Sequence, residues 1–463
     1  MARILMVCAL FVSWPLTVQA QKTVEPTETV IRLTVQPMAA PKPALRYQLL
    51  PELKEMNCGN PIQEYMKCFA EQQNFFFDKT VVNDRERYQV MPLHELPLKE
   101  LRYYSASRAL TQADYAARLD TPNWQILPRL KKDGIGTLLP DVQQLRMLAA
   151  ALKVRFRIEV AEKRFDDSLT TAKTTLALSR HLGEHPTLIG DLVAMGIANV
   201  AIGPLEEMLQ QPGCPNLYWA LTDLPSPFIN LRNGMQGERV TLARETEGIK
   251  DDHVMSQQEV DKLLTRLNRT LQNLNLVKDD ARDWLKSRLE SDKHLAAARQ
   301  RLIDAGLPED RVKSFLPIQL VLVDEKRKLD TRVHDEMKLM TLPFWQTDGQ
   351  SQKAPATGDL SEELVRVFVD PLGLKVRKAQ VRLQQRIALL RHVEAIRMYA
   401  AEHNGKLPAK LEVIGVPLPV DPVTGQPFRY NVDGPFAEVR GSPPRSETTN
   451  PAYNLRYVIN IRK

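Results

Sequence analysis

His181-Leu182-Gly183-Glu184-His185 is the one run in this chain whose residue types and spacing spell out a reaction. Two imidazoles four residues apart stand one turn apart on a helix and can face the same metal ion. A carboxylate between them could take a proton from a metal-bound water, which would be metal-assisted hydrolysis. That arrangement needs a helix that continues through all five residues. Gly183 interrupts the run and Pro186 follows it, so the expectation is a helix that ends here, with the histidines favourable in its last turn. No metal and no cofactor is expected; His181, Glu184 and His185 are the candidates if a metal binds.

Other reactive residues lack a partner set. His334-Asp335-Glu336 and His392-Val393-Glu394 do not have the spacing of a joint ligand set and read as surface ion-pairing groups. Gly134-Ile135-Gly136-Thr137 lacks the Lys-Ser/Thr sequel of a phosphate-binding loop. No G-x-S-x-G elbow occurs. Cys58 and Cys68 are ten residues apart; they could form a small-loop bridge in an oxidising compartment, or one helix could hold the thiols apart. Cys214 reads as a buried apolar residue, and the absence of a CxxC pair argues against structural zinc. Tyr103, Tyr104, Trp124, Tyr218, Trp219 and Trp345 read as core or as groove edges. No catalytic residue is assigned.

The elements that would position these residues are mostly helices. Residues 1–20 have the grammar of an export signal: Arg3, an apolar run from Ile4 to Val18, then Val18-Gln19-Ala20 ahead of Gln21. The chain is therefore expected to work in the periplasm or outside the cell, with no membrane span once the signal is cleaved. With 43% hydrophobic and 26% charged residues, a largely disordered chain is excluded. Residues 21–50 form a Pro-rich extended arm in which Thr29–Val35 alternates enough for one strand. Residues 51–342 form a helical body. Leu145, Leu148, Leu152, Phe156 and Val160 make one buried stripe, and a second helix begins at Phe165 after a turn at 162–164. The next helix, from Leu188, is apolar all round and should be buried, with Pro204 kinking or restarting it.

The C-terminal part differs. Residues 343–360 read as a linker, and 361–463 as a basic helix followed by a small antiparallel sheet. From Lys375 onward there are 15 Lys/Arg against 7 Asp/Glu, most simply a solvated basic face. Tyr453, Leu455, Tyr457, Ile459 and Ile461 alternate as the inner face of the last strand.

Two stretches resemble known families. Glu162-Lys163-Arg164-Phe165-Asp166-Asp167-Ser168-Leu169 resembles the interhelical turn of a tetratricopeptide unit, so 145–182 is tetratricopeptide-like, although no second copy follows at a fixed period. Leu418-Pro419-Val420-Asp421-Pro422 and Gly425-Gln426-Pro427-Phe428-Arg429-Tyr430 resemble the C-terminal part of major type II secretion pseudopilins. The helix before them carries Arg382, Arg386, Arg391 and Arg397, which does not suit a filament subunit. The whole is similar to a group of exported bacterial helical proteins with this tail, a resemblance that supplies no substrate and no catalytic residue. The His181–His185 pattern is similar to that of inverted zinc peptidases.

The expected fold is thus mainly α, stacked antiparallel helical hairpins in an α-solenoid-like body with a C-terminal helix-plus-sheet module. The expected function is a non-catalytic scaffold that binds a protein or peptide partner in the cell envelope. An envelope hydrolase using the His181 run, and attachment to anionic envelope polymer through the basic module, are the alternatives. Nucleic acid is not expected as a partner, because no dense Lys/Arg run with interleaved aromatics occurs.

Overall fold

The computed structural model describes residues 27–273, 281–350 and 364–462. The expected export signal at 1–20, the start of the arm and residues 351–360 of the expected linker lie outside the described residues. The fold is mainly helical, with one four-stranded sheet of order β1-β4-β3-β2. The strands are β1 (Thr29–Val35), β2 (Arg429–Asp433), β3 (Phe436–Arg440) and β4 (Leu455–Ile461).

The sheet corrects the expectation of a small, purely antiparallel C-terminal module. β1 pairs parallel with β4, in register from Thr29–Leu455 to Val35–Ile461. The entire helical body is therefore the crossover between two parallel neighbours. The inner faces of the two strands bury Leu33, Val35, Leu455, Tyr457 and Ile459 together. Glu28, just before β1, bonds Arg456 at 2.7 Å and pairs with Arg440 at 3.3 Å, stitching the strand edge-on.

The longer helices are α1 (Pro61–Glu71), α2 (Arg108–Ala116), α3 (Pro140–Ala161), α4 (Phe165–Leu182), α5 (Leu188–Leu209), α6 (Arg232–Glu245), α7 (Gln257–Asn273), α8 (Ala281–Leu289), α9 (Asp292–Asp304), α10 (Pro317–Met340) and α11 (Leu364–Glu402). α3 and α4 are joined by three residues, with Lys163 at φ 57°, so they pack antiparallel. The five stripe residues of α3 are fully buried, but so are Arg155, Arg157 and Glu159. α3 is a central helix rather than one with a single wet side. Its charges are closed internally: Arg155 grips Asp114 of α2 with two bonds of 2.9 and 2.6 Å, and Arg157 reaches Glu207 at 2.7 Å.

α5 is capped by Thr187, whose hydroxyl accepts from Gly190 N. It continues as one helix through Pro204 rather than restarting there. Packing on most of its faces holds it helical despite the missing N–H. Its composition would suit a membrane span, yet 67% of its most apolar window is buried within the fold, so protein already covers that surface.

The two largest buried clusters are separate. The larger joins α1 to α6, α11 and the sheet. The smaller, centred on Val260, Leu302, Val312 and Leu320, unites α7 to α9 with the first half of α10. α11 ends where the sequence indicates: Asn404 and Gly405 take positive φ, and Gly405 N donates back to Ala400 O at 2.8 Å.

The arginines of α11 overturn the solvated-face reading. Arg397 and Glu394 are both fully buried and paired at 2.8 Å. Arg397 also donates to the carbonyls of Gln36, Cys214 and Pro215, and its own carbonyl accepts from Met38 N. Glu394 accepts from Leu217 N and from the Asn216 amide. One side-chain pair thus ties the N-terminal arm, the 214–217 loop and α11 at a single point.

Cys58 and Cys68 are both free thiols. Cys58 is exposed ahead of the α1 cap residue Asn60, whereas Cys68 lies two turns inside α1, buried, with its thiol on Glu64 O. The helix points them into different surroundings, so no bridge forms.

Candidate functional site

The structure separates the three candidate ligands of the His181 run. α4 ends at Leu182 with Gly183 at its C-cap, so the helix the metal geometry needs is absent. His181 turns to the Tyr65 hydroxyl at 3.1 Å. Exposed Glu184 accepts from the Asn233 amide at 2.6 Å. His185 is buried, its Nδ1 2.8 Å from the Thr187 hydroxyl and its ring edge-on to Trp124. Among the described residues no group of three or more His, Cys, Asp or Glu side chains is placed to hold a metal ion.

What gathers there instead is a buried polar knot where α6 crosses the start of α5. Asp191 is fully buried with neither carboxylate oxygen hydrogen-bonded, and His185 Nε2 is likewise without a bond. Glu238 accepts from Leu188 N at 3.1 Å. Burial pushes the Asp191 carboxyl far above its usual range, reinforced by the nearby Glu238 and Glu184 charges. Burial and then Arg129 push His185 down to about 4. The group is a tightly packed knot with no room for a substrate: a Cβ on Gly190 would lie 2.8 Å from the His185 ring, and one on Gly234 would lie 2.0 Å from Asp191 Oδ2. Glu159, pushed up to about 7 by burial, is equally enclosed, taking a bond from the buried Thr171 hydroxyl.

Buried neutral histidines make the fold acid-sensitive in a defined window. Burial is the main cause that pushes His392 down to about 4 from 6.5. Above pH 6.5 this contributes no pH dependence; as pH falls from 6.5 towards 4 the unfolded chain takes a proton that the folded chain refuses. Each such histidine then costs about 3 kcal/mol by pH 4. His392→Gln should flatten the fall of the urea midpoint with pH across that window. Equal slopes in the two proteins would contradict a neutral buried imidazole.

Open space lies elsewhere. A groove of about 1030 Å³ is walled by residues 221–236, the end of α10 with 341–345, one face of α11, and 419–422. Its apolar surface comes from Leu224, Phe228, Met235, Met337, Met340 and Ile387. Three methionines give it an adaptable lining. Trp345 stands at the lip, 46% exposed. The Trp345 ring lies against Gly425, where a Cβ would come within 2.8 Å; the 421–426 turn that carries this glycine is held by buried Asp421, which accepts from Val423 N, Ser442 N and the Gln385 amide.

The charged lining is one-signed. Arg232, Lys338, Arg377 and Arg391 border the groove, and none of the lining residues is Asp, Glu, His or Cys. Arg377 is occupied by the carbonyls of Met340 and Leu342, and Lys338 by Asp335. Arg391 lies 5.7 Å from the Tyr218 ring centre, and its buried Nε has no hydrogen-bond partner. The Ser226 and Thr341 hydroxyls have no imidazole or carboxylate beside them among the described lining residues. Its lining is thus apolar and basic.

Sequence reasoning did not find this groove, though it placed Trp345 among candidate groove edges. The signal it could have used is the Arg377, Gln380, Gln384, Ile387, Arg391 series, spaced by three and four along one face of α11.

The chain matches no known protein family, no curated protein and no solved structure.

Proposed function

We propose that the protein is a non-catalytic scaffold of the cell envelope whose 221–236/α11 groove binds a peptide segment of a partner protein, one with an apolar side and acidic side chains. The observation that supports this reading is the groove's combination of methionine-rich apolar surface with four lining cations, one of them paired to Asp335, and no acid in the lining. Charge complementarity of this kind selects and steers partners, while the apolar contact supplies affinity. The mutual packing of α3, α4 and α5 supports a solenoid-like body, and α6 and α11, which pack on α5, carry walls of the groove. Export, the expectation from residues 1–20, would put such a partner in the envelope.

The test uses the mature chain and a designed peptide pair, one alternating leucine or methionine with glutamate, the other with lysine at the same positions. The acidic peptide should quench or shift Trp345 emission with saturable binding. The basic peptide should not. Arg391→Glu with Arg232→Glu should weaken acidic-peptide binding at least tenfold, about 1.4 kcal/mol. Equal binding of both peptides, or no loss in the double variant, would remove the groove from the proposal.

A further inference from the structure

The sheet ends on an open strand. In the order β1-β4-β3-β2, β2 has a neighbouring strand on one side only. Gly434-Pro435 joins it to β3 as a two-residue turn, so Asp433 and Phe436, which flank the turn, exchange both backbone hydrogen bonds. Such pairs recur at every second residue, so Asn431 and Arg429 also direct their backbone groups at β3. The far side of β3 agrees. Gly441 N donates to Leu455 O at 3.0 Å, which turns Val439 and Ala437 towards β4 and leaves Phe436, Glu438 and Arg440 for β2. The N–H and C=O groups of Tyr430 and Val432 therefore point outward, and among the described residues no group bonds them. An edge of this kind is a template for another strand.

The side chains say which strand fits. β2 reads Arg429-Tyr430-Asn431-Val432-Asp433, with a cation at one end, an anion at the other and an amide in the middle. Laid antiparallel on itself about Asn431, it sets Arg429 opposite Asp433 of the second copy, Tyr430 opposite Val432, and Asn431 opposite Asn431. The backbone accepts this register. Tyr430 and Val432, whose groups point outward, meet one another and exchange N–H···O bonds on both sides of the two-fold axis.

The charges favour the same arrangement. Within the chain Arg429 faces Arg440 across the β2–β3 pair, and Arg440 is taken by Glu28 at 3.3 Å. Asp433 faces Phe436. Neither Arg429 nor Asp433 has an ion-pair partner among the described residues, and a second copy supplies each with one. Charge on an edge strand commonly repels a copy of itself. Here the order of signs repels only a parallel, in-register copy and attracts an antiparallel one. On the inner face, Tyr430 and Val432 lie opposite the buried Val439 and Ala437 but are themselves only half-buried. The Tyr430 hydroxyl is fixed by donation to Pro408 O at 2.6 Å. The apolar layer under the sheet thus stops at this edge, and an aromatic side chain beside a β-branched one from the second copy would continue it.

We propose that β2 is a dimerisation edge, at which a second copy of this chain pairs antiparallel about Asn431 and joins the two four-stranded sheets into one. The joint is short, so the dimer forms reversibly and depends on concentration. It uses none of the residues that line the peptide groove.

Sedimentation velocity of the purified protein over a dilution series tests this, and a monomer–dimer equilibrium is expected. Arg429→Asp and Asp433→Arg each set like charges opposite one another and should weaken the dimer about tenfold or more. A chain carrying both changes should associate like the parent, because the pairs return with their signs exchanged. An equal mixture of the two single variants should associate for the same reason, without either variant having to refold. Val432→Pro removes an outward N–H and leaves the β2–β3 bonds intact; it should abolish the dimer while the near-UV circular dichroism of the monomer is unchanged. A protein that stays monomeric throughout the series, a dimer indifferent to the charge changes, or a double variant and a mixture that both fail to associate overturns the pairing. Acidic-peptide binding that Val432→Pro abolishes in a monomeric chain would assign the edge to a foreign strand and overturns it as well.

Discussion

Replacing Arg397 with Met should cost the protein about 4 kcal/mol, because breaking a fully buried ion pair from one side leaves the other charge stranded. Neither side chain of the Glu394–Arg397 pair reaches solvent. The guanidinium also saturates the carbonyls of Gln36, Cys214 and Pro215, none of which would find a new donor in the same place. Burial already raises the Glu394 carboxyl, and losing the Arg397 guanidinium raises it further, which favours its neutral form and limits the loss. The loss should be felt unevenly. Gln36 and Met38 lead directly out of β1, so amide exchange in β1 and its partner β4 should accelerate more than in α3 or α4. Pairing the change with Glu394→Gln should recover part of the stability, since no acid is then stranded. A single variant within about 1 kcal/mol of the parent in urea melts would show that the pair is not the clamp described here.

The same clamp explains what could be read from the sequence and what could not. Periodic apolar stripes announce their own burial: Leu145 to Val160 in α3, the all-round apolar α5, and the alternation of Tyr457 and Ile459 in β4 lie where the spacing puts them. End signals are equally local. Gly183, Thr187 and the Asn404–Gly405 cap stop and start helices as their residue types require. The parallel pairing of β1 with β4 depends on contacts more than four hundred residues apart, and no local pattern encodes it. Charge was misread for a related reason. Arginine in a helix signals solvent only if no distant acceptor awaits it; for Arg397 the acceptors are carbonyls at Gln36, Cys214 and Pro215, which carry no sequence signature. The groove is harder still, since its walls come from four separated stretches that meet only in the fold. The His181 run shows the converse. Its spacing was visible, and so was the helix end, because Gly183 lies inside the five-residue run and Pro186 directly follows it.

Gly237→Ala poses the sharpest conflict between local and tertiary rules. Within α6 alanine is favoured over glycine by about 1 kcal/mol, so propensity alone expects a gain. Packing expects the reverse. A Cβ on Gly237 would lie 1.8 Å from the carbonyl oxygen of Pro186 and 2.6 Å from its carbon. These are backbone atoms in the turn between α4 and α5, and a rotamer change cannot move them. One turn earlier, Gly234 meets Asp191 Oδ2 in the same way, so the two glycines form the face on which α6 crosses the α5 N-terminus. Relief requires α6 to lift, which breaks the bond from Leu188 N to Glu238 and opens the knot around Asp191 to water. The expected net loss is about 4 kcal/mol, at the upper end for an overpacked core position. Gly415→Ala, where a Cβ meets nothing within 4 Å, is the matched control and should change stability little. The effect should reach the groove as well. α6 supplies Arg232, Met235 and Gln236 to its wall, so an α6 that has lifted should bind the acidic peptide more weakly even under conditions where the variant remains folded. A stabilised Gly237→Ala protein with unaltered peptide affinity would mean that α6 does not cross α5 at this distance, and the groove wall would have to be rebuilt.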